Sequence, residues 1–392
     1  MTNDEGRMTE PYHTWQTLEA TLAGESIRWA GKPGLETWDA LRPSARLIAK
    51  ELSDTGPGQR VLDLRCGAGV CGALAARRGA SVTLCDDSLV AVEAARRTLA
   101  LNGVNGQVVH GNDVAGSFDW VLLDAPRGRE WVRHLLTLAA QALRPGGRLL
   151  LAGPNRGGIK GFIEDAREIV GPCEVVHVKA SHRLAAAEKQ AGQVGAGFPH
   201  PDLPYSPEVC EATVRGQTVR FVTQPGVFSR GELDAGTCAL IETMVIQPGE
   251  AVLDLGCGCG VVGAVAAQMG GQVVCVDSSA AALQATRATL ELNGVLERTQ
   301  VLASDCASAV RDRRFDVIAT NPPFHQGLGV EYDVARQFVR DAAHVLVEGG
   351  GRLYLVANRF IRYERMLGDV RVASRVTTAY EDNRFRVLKA GC

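Results

Sequence analysis

The chain has 392 residues, of which 46% are hydrophobic and 22% charged, and its formal net charge is −2 at pH 7. This length suffices for two domains of ordinary size, each with its own core, and the balanced charge neither requires nor excludes a nucleic-acid partner. The N-terminus lacks a signal pattern and no apolar run reaches membrane-spanning length, so we expect a cytoplasmic protein without membrane contact.

The eleven cysteines are spread singly, and several lie within apolar runs such as QVVCVD. Small buried thiols in a reducing compartment give this pattern. Cys257 and Cys259 lie close together, but a zinc site requires four ligands with paired spacing. We therefore expect no metal.

One segment occurs twice in the chain. Residues 61–104 and 252–295 align without a gap at a constant offset of 191, and 25 of the 44 positions are identical. Later stretches also pair, such as SFDWVLLDAPRGRE with RFDVIATNPPFHQG. This similarity indicates a domain duplication.

Each copy has the same order of predicted elements along the chain. A strand (VLDL) leads through a glycine turn into an alanine-rich helix, then into a second strand (SVTLCD or QVVCVD), a helix that ends at Asn-Gly, and further strands. Alternating strands and helices predict an α/β fold in which a mainly parallel sheet carries helices on both faces.

The segment between the copies differs in composition. Residues 184–208 are rich in Ala, Gly and Pro and have no clear period, which predicts a linker. We therefore expect a first domain over residues 1–183 and a second over residues 209–392. The second is predicted to begin with two short strands that meet at a turn of Gly216 and Gln217.

A glycine-rich turn in the second copy points to a ligand. A buried strand ends in Asp254, and Gly256, Gly258 and Gly260 follow, where glycine permits a sharp turn and close approach of a ligand. Asp277 ends the next strand, at a place where such folds bind the two hydroxyls of a ribose. Taken singly, Asp254 also fits a helix cap and Asp277 a turn. Their order along one sheet favours a nucleoside pocket.

The turn reads D-x-G-x-G-x-G, unlike the G-x-G-x-x-G of nicotinamide-binding folds, and NPPF follows at the fourth strand. In both respects the chain resembles class I methyltransferases. The resemblance implies two tandem Rossmann-like methyltransferase domains and S-adenosylmethionine as the cofactor, with Asp305 near the adenine edge. The residues expected to contact the cofactor in the second copy are Asp254, Gly256, Cys257, Gly258, Gly260, Asp277, Ser278, Asp305 and Asn321.

The NPPF segment has the groups that methylation of an amine requires. The lone pair of an exocyclic amine on a base is delocalised into the ring, so a site must accept both N–H groups to direct the lone pair at a methyl group. The side-chain oxygen of Asn321 and the carbonyl of Pro322 are the expected acceptors, and Pro322 and Pro323 fix φ. Phe324 offers a flat face for an unstacked base.

The second half also resembles the bacterial ribosomal RNA guanine-N2 methyltransferases, through PGVFSRGELDAGT, NPPFH and VANRF. That family carries a degenerate methyltransferase-like domain at its N-terminus, so the resemblance covers nearly the whole chain. It implies methylation of the N2 amine of a guanine in ribosomal RNA, with the small subunit (16S) favoured over the large (23S). It also places Phe228, Ser229, Asp234 and Thr237 over the cofactor.

Other interpretations remain open. The acceptor is alternatively another planar amine, either adenine N6 or the glutamine amide of a release factor. A non-catalytic ribosome-assembly factor that retains the pocket is a third alternative, and Asn-Pro-Pro by itself also fits a plain turn. The expected partner is ribosomal RNA or a ribosomal subunit, and a monomer is favoured.

The first copy lacks the residues assigned to chemistry. Arg65 stands where the second copy has Gly256, and Asp124-Ala125-Pro126-Arg127 stands where the second has Asn321 to Phe324. A long cation would lie where the cofactor approaches the backbone, and an anion would replace the Asn amide. We expect the first copy to bind neither cofactor nor base, and to hold RNA or to stabilise the second domain.

Overall fold

The computed structural model describes residues 12–190, 207–228, 231–323, 329–358, 363, 366–367 and 375–391. The chain divides into two compact units close to residue 198.

The elements of the first unit alternate between strands and helices after an initial hairpin. Its strands are β1 (Gln16–Leu22), β2 (Glu25–Gly31), β3 (Arg60–Leu64), β4 (Ser81–Asp86), β5 (Gln107–His110), β6 (Phe118–Asp124), β7 (Leu143–Pro154), β8 (Cys173–Lys179) and β9 (His182–Glu188). Its helices are α1 (Pro43–Glu51), α2 (Val70–Arg77), α3 (Leu89–Leu101), α4 (Arg129–Ala142) and α5 (Ile159–Ile169).

The second unit repeats this order. Its strands are β10 (Glu208–Val214), β11 (Gln217–Thr223), β12 (Ala251–Leu255), β13 (Gln272–Asp277), β14 (Thr299–Ala303), β15 (Val317–Thr320), β16 (Arg352–Asn358), β17 (Arg375–Glu381) and β18 (Phe385–Gly391). The helices described in it are α6 (Ala235–Thr243), α7 (Val261–Gln268), α8 (Ala280–Leu292) and α9 (Gly329–Val345).

Each unit has a large sheet of seven strands with the same topology. The order is β5-β4-β3-β6-β7-β9-β8 in the first unit and β14-β13-β12-β15-β16-β18-β17 in the second. The first five strands of each sheet are parallel, and the last two are antiparallel. The expected α/β fold of two tandem domains with mainly parallel sheets is therefore confirmed. All carboxyl ends of the parallel strands lie along one edge of each sheet.

Helices cover both faces of the sheet, as the sequence predicts. Along β7, Leu149 and Leu151 belong to a buried cluster that includes residues of α4 and α5. Their neighbours Leu150 and Ala152 belong to a second cluster that includes residues of α1 and α2. Successive strand residues point to opposite faces, so a continuous run of apolar residues is what a strand covered on both faces requires.

The hairpin that begins the second unit differs by one residue from the prediction. Val214 pairs with Gln217, so the turn consists of Arg215 and Gly216 rather than Gly216 and Gln217. Both turn residues have positive φ, 51° and 71°, as in the two-residue turns that suit the twist of a hairpin. The Arg215 guanidinium donates to the carbonyls of Ile241, Glu242 and Met244 at the end of α6, which favours arginine there.

Part of the predicted linker belongs to the first sheet. Residues 184–188 form most of β9, which lies antiparallel between β7 and β8. Leu184, Ala185 and Ala187 are buried there, and small side chains on both faces leave no alternation for a sequence pattern to detect. Residues 191–206 of the predicted linker lie outside the described residues, and residue 208 begins β10.

Candidate active site

Three glycines shape the turn between β12 and α7. Gly256, Gly258 and Gly260 have φ angles of 76°, 54° and 79°, in the left-handed region that favours glycine. An added Cβ would lie 2.9 Å from a ring carbon of Phe338 at position 256 and 2.8 Å from the Thr286 backbone at position 260. At position 258 it would meet no atom of the described residues within 4 Å. Gly258 therefore borders open space.

The neighbouring Cys257 packs into the protein. Its thiol is buried and lies 3.2 Å from the Thr286 hydroxyl, and its backbone N–H donates to the Val276 carbonyl at 3.0 Å. In the described part of the chain, no group of three or more His, Cys, Asp or Glu side chains is placed to hold a metal. These contacts give the Cys257 side chain a packing role in the turn.

Asp254 supports the helix that follows the turn. Its carboxyl is 2% exposed, and Oδ2 accepts the N–H of Gly263 at 2.9 Å, in the first turn of α7. Burial raises the pKa of Asp254 to about 7, the Gly263 N–H opposes this rise, and the charge of Asp277 adds to it. This contact fits the helix-cap alternative for Asp254, and its contact with a cofactor stays a prediction.

Asp277 lies at the carboxyl end of β13, next to the turn. Its Oδ2 accepts the N–H of Gly258 and its Oδ1 accepts the N–H of Ser279, both at 2.9 Å. The carboxylate and the adjacent Ser278 are partly exposed. Because two backbone groups fix it, this carboxylate is preorganised beside the open space at Gly258. Asp305 is 7% exposed and follows β14, which pairs with β13 up to Asp277 and Ala303.

Asn321 comes directly after β15, at the same edge of the sheet. Its side-chain Nδ2 donates to Oδ2 of Asp234 and to Oγ1 of Thr237, each at 3.0 Å. Its Oδ1 is buried and has no hydrogen-bond partner among the described residues. A buried acceptor without a donor costs about 1–3 kcal/mol, so such an atom in a native protein calls for an explanation.

The segment before α6 reaches this site from the other side. Asp234 caps α6, and its Oδ2 also accepts the N–H of Thr237 at 3.0 Å. Phe228 is 54% exposed, which is high for a large aromatic side chain. Pro322 is buried and Pro323 exposed. Two predicted residues, Ser229 and Phe324, lie outside the described residues.

Sequence reasoning missed two residues that support the site. A Cβ at Gly236 would lie 2.8 Å from Val356 and 2.9 Å from Oδ2 of Asp234, so a larger residue would displace one of these side chains. Phe338 of α9 is buried and packs against Gly256. The glycine of DAGT is visible in the sequence, but the contact with Phe338 joins residues 82 positions apart and leaves no local signal.

The first unit contains ion pairs at the equivalent places. Arg42 precedes α1 as Asp234 precedes α6, and Asp124 ends β6 where Asn321 follows β15. Arg42 Nε lies 3.0 Å from Asp124 Oδ2, and Glu36 Oε2 lies 3.0 Å from Arg42 and 2.7 Å from Arg65. Arg65 keeps the left-handed backbone of its glycine counterpart, with φ of 60°. The first unit thus places two guanidinium groups where the second has Asp234 and Gly256.

Contacts that support the fold are the same in both units. Asp63 Oδ2 accepts the N–H of Gly72 at 2.8 Å, and Asp86 Oδ2 accepts the N–H of Gly67 at 2.9 Å. These match the contacts of Asp254 and Asp277. The residues around Asn321 and Gly256 therefore differ chemically between the two sites, whereas these supporting contacts do not.

The known proteins that resemble this chain are methyltransferases. The family model described as "Methyltransferase small domain" matches residues 27–184 and 218–389. The Ribosomal RNA small subunit methyltransferase C of Pseudoalteromonas atlantica is 34% identical over 285 residues, 72% of this chain and 79% of that protein. The protein of that name from Chromohalobacter salexigens is 36% identical over 265 residues, 67% of this chain and 74% of that protein.

A solved structure resembles the whole chain. The T. thermophilus 16S rRNA N2 G1207 methyltransferase, in complex with AdoMet and guanosine, superposes with a TM-score of 0.81 at 33% identity. The match covers 97% of this chain and 98% of that one. The shared architecture therefore extends over both units.

Proposed function

Because this chain belongs to the bacterial ribosomal RNA guanine-N2 methyltransferases, within the methyltransferase small domain family, we propose that its second unit methylates the N2 amine of a guanine in small-subunit ribosomal RNA. The observation that carries the proposal is the buried Oδ1 of Asn321, which lacks a donor among the described residues at the carboxyl edge of the sheet. A hydrogen-bond donor from a substrate would satisfy this atom.

The turn after β12 and the end of β13 fit S-adenosylmethionine. When bound, this cofactor supplies a methyl group on a positively charged sulfur. Gly258 borders open space within the described part of the site, and the Asp277 carboxylate is fixed next to it by two N–H groups. A ribose donates two hydroxyls, which a fixed carboxylate accepts well. The T. thermophilus complex, which contains AdoMet, supports this choice of cofactor.

Asn321 and Pro322 would orient the amine. The Oδ1 of Asn321 accepts one N–H of the guanine amine and the carbonyl of Pro322 accepts the other, so the nitrogen lone pair is directed out of the ring plane. An amine held in this way would present its lone pair to the methyl group that the cofactor would supply, and its extra proton would then pass to water. No side chain needs to act as a general base in this step.

The proposal also covers the place where the protein acts. None of the ten cysteines in the described part of the chain forms a disulfide, which is the usual state in a reducing compartment. No helix in that part is long and apolar enough to cross a membrane. We include in the proposal that the protein acts in the cytoplasm, as a monomer, on ribosomal RNA or on a ribosomal subunit.

The test is transfer of labelled methyl from S-adenosylmethionine to small subunits, large subunits and release factor, each lacking prior methylation, followed by digestion and identification of the product. We expect label in N2-methylguanosine from the small subunit. Asn321→Ala should lower kcat about 100-fold or more, because an acceptor that orients the amine is lost, while cofactor binding persists. Asp124→Ala, the matched change in the first unit, should keep the wild-type kcat.

Other labelled products would redirect the proposal. Label in glutamine of release factor or in N6-methyladenosine would keep the orienting role of Asn321 and refute guanine as the acceptor. Absence of any label, with an Asn321→Ala variant that still supports ribosome assembly in cells, would support a non-catalytic assembly factor.

A further inference from the structure

Asn321 can act as an acceptor only if its amide keeps one of two orientations, and its neighbours determine which. We propose that Asp234 and Thr237 are positioning residues that hold the Asn321 amide with its oxygen facing the substrate amine, rather than residues that contact the cofactor. The proposal rests on the proposed function and deepens it at the same site.

The hydrogen bonds leave the amide one stable orientation. The Nδ2 group has two hydrogens, and two acceptors lie 3.0 Å from it, Asp234 Oδ2 and Thr237 Oγ1. A carboxylate accepts hydrogen bonds but cannot donate them, so it would repel the amide oxygen if the amide were turned over. The turned amide would also direct its N–H groups at the N–H groups of the substrate. Both ends of the amide therefore favour the same orientation.

The two acceptors are themselves held rigidly. Asp234 Oδ2 accepts the backbone N–H of Thr237 at 3.0 Å, which ties the carboxylate to the first turn of α6. The Thr237 hydroxyl lies 3.4 Å from the same oxygen, so it can donate to Asp234 while it accepts from Asn321. Gly236 leaves room for this carboxylate, because a Cβ added there would lie 2.9 Å from Asp234 Oδ2. A helix start of this kind can fix an amide to within the tolerance of a reacting site.

The first unit provides an internal comparison. Its equivalents of Asp234, Thr237 and Asn321 are Arg42, Ala45 and Asp124, as the gapless match of PGLETWDALRPSA with PGVFSRGELDAGT shows. Arg42 donates to Asp124 at 3.0 Å, so the pair remains in contact with donor and acceptor exchanged. The fold-supporting contacts of Asp63 and Asp86 persist. Both acceptor residues are therefore replaced in the unit where Asn321 is also replaced, as expected if the three residues act together.

Two substitutions at position 234 separate helix capping from positioning. Serine and asparagine cap helices about as well as aspartate, so Asp234→Ser and Asp234→Asn should each unfold within about 2 °C of wild type. The shorter serine leaves Asn321 without this acceptor, whereas asparagine keeps an amide oxygen there. We expect Asp234→Ser to lower kcat about 30-fold with cofactor affinity within about threefold of wild type, and Asp234→Asn to lose about threefold.

Substitutions of Thr237 give one independent test. A second comes from variants that exchange the hydrogen-bond donor and acceptor between positions 234 and 321. Thr237→Val removes the hydroxyl but keeps the shape and should lower kcat about tenfold, while Thr237→Ser should stay within about twofold. Asn321→Asp places two carboxylates about 3 Å apart and should be nearly inactive at neutral pH, with activity that rises as the pH falls. The double variant Asp234→Asn with Asn321→Asp restores a donor and an acceptor, and it should recover at least tenfold over Asn321→Asp.

A readout without substrate keeps this inference distinct from the proposed function. In protein labelled with 15N-asparagine, the Asn321 side-chain amide, identified by its loss in Asn321→Ala, should exchange slowly with water and should become fast or broadened in Asp234→Ser. An unchanged amide in a folded Asp234→Ser variant, or wild-type kcat in that variant, would overturn the positioning role. A slow amide in a wild-type protein that methylates no guanine would overturn the proposed function alone.

Discussion

Gly258 and Gly260 belong to one turn but are constrained in different ways. Both have left-handed backbones, with φ of 54° and 79°. A Cβ on Gly260 would collide with the backbone of Thr286 in α8, whereas a Cβ on Gly258 would meet no described atom within 4 Å. Packing therefore requires glycine at position 260. At position 258 the left-handed backbone favours glycine, and the open space beside it is where we expect the cofactor.

This difference predicts that Gly258→Ala will weaken cofactor binding more than it weakens the fold. Strain from alanine at positive φ should cost about 1–2 kcal/mol of the free energy of unfolding, while affinity for S-adenosylhomocysteine should fall about tenfold or more. Calorimetric titration and thermal unfolding measure the two effects. Gly67→Ala is the matched control, since Gly67 has the same φ of 54° and the same open space among described atoms in the first unit. Equal loss of affinity in Gly67→Ala would contradict the assignment.

At the scale of elements, each unit attaches a helix to its sheet through a buried aspartate. Asp63 on β3 accepts from Gly72 in α2, as Asp254 on β12 accepts from Gly263 in α7. Burial raises the pKa of Asp63 to about 7 despite the Gly72 N–H, and the charges of Asp86 and Asp124 add to the rise. The buried group therefore binds its proton more tightly in the folded protein than in the unfolded chain.

The direction of that shift predicts how stability depends on pH. Because the folded pKa is about 7 and the ordinary value is 3.8, the contribution of Asp63 is complete below about pH 4, is lost as the pH rises to about 7, and is constant above it. The loss has a limiting slope of about 1.4 kcal/mol per pH unit.

Asp63→Asn should remove this dependence. The difference in free energy of unfolding between wild type and variant should shift in favour of the variant from pH 5 to pH 7.5. Tryptophan fluorescence in urea follows the first unit, because all five tryptophans lie between residues 15 and 131. If the difference in free energy of unfolding between wild type and Asp63→Asn does not change from pH 5 to pH 7.5, Asp63 is not protonated in the folded state.

At the scale of the whole molecule, one architecture is present twice with different chemistry. The strand order and the fold-supporting aspartates match, whereas Arg65 and Asp124 take part in ion pairs or hydrogen bonds where the second unit has Gly256 and Asn321. Burial lowers the pKa of Arg65, but the carboxylates of Asp86 and Glu36 more than offset this, so Arg65 stays charged. A cation at this position opposes a sulfonium ligand.

We therefore predict one cofactor molecule per chain. Titration calorimetry with S-adenosylhomocysteine should give a stoichiometry of one, and Gly258→Ala should weaken that single site. Gly67→Ala, at the matched position in the first unit, should leave both the stoichiometry and the affinity unchanged. Two equivalents per chain would refute the loss of binding in the first unit.

Sequence reasoning reached the elements near the site more reliably than the roles of individual residues. It located the glycine turn and the end of β13 at Asp277, and it placed the end of β12 at Asp254, one residue before Leu255, because these positions follow from short local patterns. It assigned Asp254 to the cofactor, which stays a prediction, and it did not foresee that this carboxylate accepts the Gly263 N–H. It also missed β9 at residues 184–188, because a strand of small buried residues has no hydrophobic alternation.

The amino-acid sequence by itself determined the duplication, the α/β class and the location of the altered residues in the first copy, since each is written in local patterns or in the match of one half to the other. Only the tertiary structure decided which side-chain atoms of Asn321 form hydrogen bonds, because their partners Asp234 and Thr237 lie more than 80 positions away along the chain. A hydrogen bond depends on distance and angle in space, and packing of α6 beside the end of β15 sets both. The orientation of Asn321 Oδ1 as an acceptor therefore depends on the tertiary structure.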